Sequence, residues 1–87
     1  MDDEIISTTT LFPYAADFRR PNGEVYRGKI SWMAEDSVSA IDMALGWAEF
    51  IGETLVGVQR TDAFGRPMAR MIPAAGVAVE HPEAVAA

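Results

Sequence analysis

Cysteine is missing from this chain of 87 residues, and histidine occurs once, as His81. Without Cys no disulfide or thiolate zinc site can reinforce the core. Without His or Cys clusters a transition-metal site lacks its usual ligands. A Ser, Thr or Cys nucleophile needs a positioned base, and His81 sits in a loose-looking Ala/Val/Pro/Glu tail, where it reads as solvated. The glycines at 23, 28, 46, 52, 57 and 65 fit no nucleotide-binding fingerprint. The acidic pair Glu35-Asp36 is accounted for by helix capping. The expectation is a protein that is not an enzyme and needs no metal or cofactor.

Long apolar runs are missing too, since nothing approaches the ~18 residues of a membrane span. The opening Met1-Asp2-Asp3-Glu4 is the reverse of the basic start of a signal peptide. We expect a soluble, cytoplasmic chain with no membrane contact. Basic residues are scarce: seven against thirteen acids, for a net charge of −6. All seven lie between Arg19 and Arg70, while five acids (Asp2, Asp3, Glu4, Glu80, Glu83) occupy the ends. The acidity therefore belongs largely to the tails, as a solubilising charge.

What is present is an apolar content of 49%, enough for one small folded domain. A domain this short buries only about 60–65% of its unfolded surface, so its core is marginal. We expect one domain over 1–87, ordered over about 5–73, with a tail from about 74 to 87. Residues 5–18 have strand composition, and from Phe12 they alternate. Phe12, Tyr14, Ala16 and Phe18 share one face; Pro13, Asp17 and Arg19 share the other. Pro13 lacks an N–H, which predicts an edge strand or an irregularity there. Pro21-Asn22-Gly23 predicts a tight hairpin turn with positive φ angles. A second strand follows over Glu24–Met33, with Tyr26, Gly28, Ile30 and Trp32 inward and Arg27, Lys29 and Ser31 outward.

Asp36 or Ser37 then caps a helix running from about Ser37 to Ile51 or Gly52, with Gly52 as its stop. Val38, Ile41, Ala44, Leu45, Ala48 and Ile51 recur at helical spacing and predict the core stripe. Thr54–Thr61 reads as a third strand, Val56 and Val58 inward and Gln59 outward. A hairpin loop over Asp62–Pro67 leads to a short fourth strand, Met68–Ile72, ended by Pro73. The fold class is α+β: a four-stranded antiparallel sheet with one helix on one face, in the order ββαββ.

Three features point to binding. Met43, Trp47 and Phe50 fall on a second apolar flank of the helix, spaced to lie on one line. Residues of this kind favour interfaces, with a homodimer or another protein as partner. Asp42, Glu49 and Glu53 on the same helix have no basic residue among them, and they suit a basic partner. On the opposite sheet face Arg19, Arg27 and Lys29, with Arg60 and Arg70 beside them, could meet phosphates. No aromatic shares that face to stack bases, so nucleic acid is the less favoured partner.

The segment FRRPNGEVYRGKISWMAEDSVSAIDMALGWAEFIGETLVGVQRTD is similar in plan to some anti-CRISPR proteins. Those are small, often acidic inhibitors encoded by phages and mobile elements. The layout resemblance spans residues 12–72. It implies a protein that binds a CRISPR effector subunit in the host cytoplasm and blocks the complex from recruiting or cleaving DNA. It assigns no residue roles.

Overall fold

The computed structural model describes residues 9–74; residues 1–8 and 75–87 lie outside the description. The expectations for His81, for an ordered start at 5–8 and for a tail beyond 74 therefore fall outside the described residues. The element order is β1 (Phe12–Arg19), β2 (Val25–Arg27), β3 (Trp32–Ala34), α1 (Ser37–Ile51), β4 (Thr54–Arg60) and β5 (Ile72–Pro73). Among the described residues the class is α+β, with the helix α1 packed on an antiparallel sheet, as the sequence predicts. That sheet has five strands among the described residues rather than four, because the second strand is broken into β2 and β3.

β1 lies in the centre. β2 and β3 pair with one side of it, β4 with the other, and β5 pairs with β4. β3 and β4 are both antiparallel to β1, so they run parallel to each other with β1 between them. Parallel strands need a long crossover, and α1 supplies it. This placement corrects the edge expected from Pro13. Pro13 is instead the second residue of a central strand, opposite Met33 on one side and accepting the Thr61 N–H on the other at 3.0 Å. Its missing N–H thus faces the very end of β4, where the chain is about to turn.

The Pro21-Asn22-Gly23 turn forms, but only Gly23 takes a positive φ, 93°. Gly23 N–H donates to the Arg20 carbonyl and Arg20 N–H to the Glu24 carbonyl, both at 2.8 Å. This is a three-residue loop with glycine at its left-handed position, not the two-residue turn that Asn-Gly suggests. Beyond β2, Gly28 N–H still bonds the Ala16 carbonyl at 2.8 Å. A Cβ on Gly28 would stand 2.8 Å from the Phe18 ring, so only glycine permits this crossing. Lys29, Ile30 and Ser31 then face the single residue Ala15, and pairing resumes at Trp32 opposite Tyr14. Two extra residues preserve the alternation, so Tyr26 and Trp32 stay on the helix side. Ile30, expected inward, lies in the bulge and is exposed.

A second bulge falls in β4. Asp17 pairs with Gly57 but Phe18 pairs with Leu55, so Val56 is the extra residue. Leu55 takes the buried place opposite Phe18, and Val56, expected inward, is only half-buried. The fourth strand is also displaced: the ladder forms at Ile72–Pro73, against Val58 and Gly57, rather than over 68–72.

The helix begins and ends where its caps dictate. The Asp36 carboxylate accepts the Ser39 N–H at 2.8 Å, and Gly52 closes the helix at φ 75°. Tyr14, Ala16, Phe18, Ala34, Ala40, Ile41, Ala44, Ala48, Leu55 and Val58 form the core. Half of these are alanines, which let the helix lie close on the sheet but bury little area. Phe18, Ile41 and Val58 are the largest fully buried side chains. The core stripe expected from spacing needs correcting: Val38 is 58% exposed and Leu45 42%. The helix is rotated so that its Ala40/Ala44/Ala48 line faces the sheet.

Candidate functional site

That rotation sets what α1 shows to its surroundings. At ~100° per residue, Asp42, Gly46 and Glu49 point away from the sheet. Val38 and Leu45 border them on one side, Met43 and Phe50 on the other. Phe50 is 79% exposed and Met43 38%. Trp47, placed with them by spacing, is half-buried and turned toward the sheet. Its ring lies 6.5 Å from Trp32 of β3 and 5.6 Å from Phe50. An aromatic row therefore runs from the sheet edge across the helix flank to solvent, with Trp47 as its anchored middle. Trp32 Nε1 is buried with no hydrogen-bond partner among the described residues.

Among the acids, Asp42 and Glu49 are exposed and sit beside this row. Glu53 does not belong with them. The Tyr26 hydroxyl donates to its carboxylate, and Arg20 lies 3.9 Å from its other oxygen. Arg20 in turn stacks 4.0 Å above the Tyr26 ring and pairs with Glu24 at 2.8 Å. The hydrogen bond to Glu53, with desolvation and the nearby negative charge, holds the Tyr26 hydroxyl pKa above its ordinary value. Glu53 thus ties the helix end to the hairpin.

The basic sheet face is similarly reduced. Arg27 pairs with Asp17 at 2.7 Å and bonds the Gln59 side chain at 2.8 Å; Gln59 in turn reaches the Ala69 carbonyl. Arg60 is not on that face at all. It pairs across from buried Tyr14, on the helix side, and stacks 3.6 Å from the Phe12 ring. Arg19, on β1, and Lys29, in the 29–31 bulge, remain exposed. Between the 29–31 bulge and the 62–66 turn lies a recess of about 130 Å³, bordered by Ala15, Arg27, Lys29, Thr61 and Gly65. It is small beside the roughly 300–1,000 Å³ of ordinary ligand pockets.

The 62–66 turn is organised by Asp62, whose carboxylate accepts the Phe64 and Arg66 N–H groups and pairs with the Arg66 guanidinium at 2.7 Å. Those bonds, the Arg66 N–H foremost, lower the Asp62 pKa. The turn displays Phe64, 83% exposed, which sequence spacing gave no reason to single out. Gly46 lies exposed between Asp42 and Glu49, on the polar edge that helical spacing gives it.

Among the described residues no group of three or more His, Cys, Asp or Glu side chains converges, and no helix is long and apolar enough to cross a membrane. What the arrangement offers chemically is contact surface: apolar area, two free carboxylates and an anchored aromatic row. Comparison with protein-family models, curated proteins and solved structures finds no match.

Proposed function

We propose that this chain is a non-catalytic protein-binding module whose working surface is the Met43–Phe50 flank of α1. Trp47 anchors that surface, and Asp42 and Glu49 form its polar rim. The observation that carries the reading is Phe50, left 79% exposed beside Trp47 in a domain with few large buried side chains. A folded domain gains about 25 cal/mol per Å² by burying such area, and an uncovered aromatic flank marks an interaction site. Large aromatic and Met side chains also carry much of the energy of protein interfaces.

The particular form we favour is an inhibitor that docks on a host defence effector complex in the cytoplasm, the role its anti-CRISPR-like layout implies. Its test is a DNA-cleavage assay of a reconstituted CRISPR effector with the parent chain and with a Phe50→Glu, Met43→Glu double variant. The parent is expected to suppress cleavage. The double variant, whose changed side chains are exposed, should keep the parent's circular dichroism and lose the suppression. Suppression unaffected by the double variant would sink the assigned surface. A parent inert against the effector types tested leaves this role without support. The helix flank is then examined by capture of partners with parent and variant side by side.

A further inference from the structure

Gly46 stands in the middle of α1 on its outward side, where glycine weakens a helix relative to alanine. Apart from its chain neighbours and the helix's own backbone, no atom lies within 4 Å of the place its Cβ would take. Nothing inside the described molecule uses the missing side chain. Around this dent stand Ser39, Asp42, Met43, Glu49 and Phe50, at spacings of three, four and seven residues. They form one stripe about 16 Å long. Its chemistry is two large apolar side chains and two carboxylates, with no cation. The sequence has no Lys, Arg or His between Lys29 and Arg60.

We infer that this stripe seats a basic amphipathic helix of another protein, crossing α1 at Gly46. The inference rests on the docking reading above and names the partner's chemistry. Ridges of side chains at i+3 and i+4 spacing complement the grooves of a second helix. A glycine at the crossing lets the partner's apolar side chain enter between Met43 and Phe50. Cations on the partner's flanks then meet Asp42 and Glu49.

Charge is what decides against a second copy of this chain as the occupant. A two-fold axis through Gly46 sets Asp42 against the second copy's Phe50, and Glu49 against its Met43. Four carboxylates would lose water in that contact and none would gain a cation, which strongly disfavours it. A partner that brings Lys or Arg removes the conflict.

The probe is a Leu/Lys amphipathic peptide of roughly 18 residues, long enough to be helical, beside its Leu/Glu counterpart. Binding is read from tryptophan emission, because Trp47 touches Phe50. The parent should bind the Leu/Lys peptide and ignore the Leu/Glu one. Gly46→Leu should weaken that binding about tenfold or more by filling the dent, the equivalent of ~1.4 kcal/mol. Gly46→Ala, a milder filling, should keep the fold and weaken binding less. Equal peptide affinity for parent and Gly46→Leu overturns the inference. A parent that ignores the Leu/Lys peptide overturns it as well. If that parent also sediments as a dimer that Phe50→Glu dissociates, the occupant is a second copy, and the flank remains a docking surface.

Discussion

At the scale of single residues, the face a side chain occupies separates positions that hydrophobicity and size alone make look alike. Ile41 and Leu45 are both apolar and both fit helical spacing. Ile41 is fully buried under the sheet, while Leu45 is 42% exposed. Truncating a buried Ile to Ala removes transfer energy and leaves a cavity, about 2–5 kcal/mol together. Ile41→Ala should therefore cost that much in urea unfolding, and Leu45→Ala less than about 1 kcal/mol. Equal losses would mean that the helix is rotated from the orientation described. Asp62 gives a residue-scale pH effect. Its folded pKa lies below that of the unfolded chain, because the Arg66 and Phe64 N–H groups bond the carboxylate. The bonds therefore add stability in full above the unfolded value of about pH 4. That contribution fades as pH falls through the depressed folded value. Asp62→Asn should remove part of this acid sensitivity, seen in melting curves between about pH 5 and pH 2. Parallel pH profiles for parent and variant would show that the turn contributes nothing measurable.

At the scale of elements, ends are governed by local chemistry and faces by what lies across from them. The helix was legible from Ser37 to Ile51 because Asp36 and Gly52 act on their own neighbours. Asp36→Ala should accordingly cost about 1 kcal/mol through the lost bond to Ser39 N–H. No change in thermal stability would mean that a neighbouring group replaces the cap. Which face of the helix is buried was legible only in part. Val38, Leu45, Met43 and Phe50 are bulky and apolar like the buried Ile41, so a periodic reading cannot tell them from it. The sheet instead packs against Ala40, Ala44 and Ala48, whose small side chains allow close approach. Alternation placed Tyr14, Ala16, Phe18, Tyr26 and Trp32 on the correct side. It could not reveal the bulges at 29–31 and Val56, since a bulge is defined by the partner strand. For the same reason β5, which makes one short ladder, was misplaced by a few residues. The candidate surface was legible in Met43, Phe50, Asp42 and Glu49. It was not legible for Glu53 or Arg27, whose partners Tyr26 and Asp17 reach them only through the fold.

At the scale of the whole molecule, charge is segregated in a way that net charge conceals. The outward side of α1 carries free carboxylates and no cation, while the basic residues lie on the sheet and its loops. A basic surface against phosphates gains affinity by releasing counterions, in proportion to the phosphates it neutralises. Here that number is small. Arg27 is already paired with Asp17, Arg20 with Glu24, and Arg66 with Asp62, and Arg60 stacks on Phe12 on the helix side. Among the described residues Arg19, Lys29 and Arg70 are exposed with no such pairing, and they sit on β1 and on two separate loops rather than along one groove. Sequence-tolerant binding of single strands also draws on base stacking over aromatic side chains, typically about 1–3 kcal/mol per base. Phe64 is the exposed aromatic of the 62–66 turn, and one ring cannot form a platform. The whole chain, at −6, adds repulsion at a distance. We therefore expect no sub-micromolar binding to generic single- or double-stranded DNA at physiological salt, measured by fluorescence anisotropy. A tight complex that weakens steeply between about 50 and 200 mM salt would reverse this ranking. It would make Arg19, Lys29 and Arg70 the residues to mutate first, with Phe64 as their stacking partner.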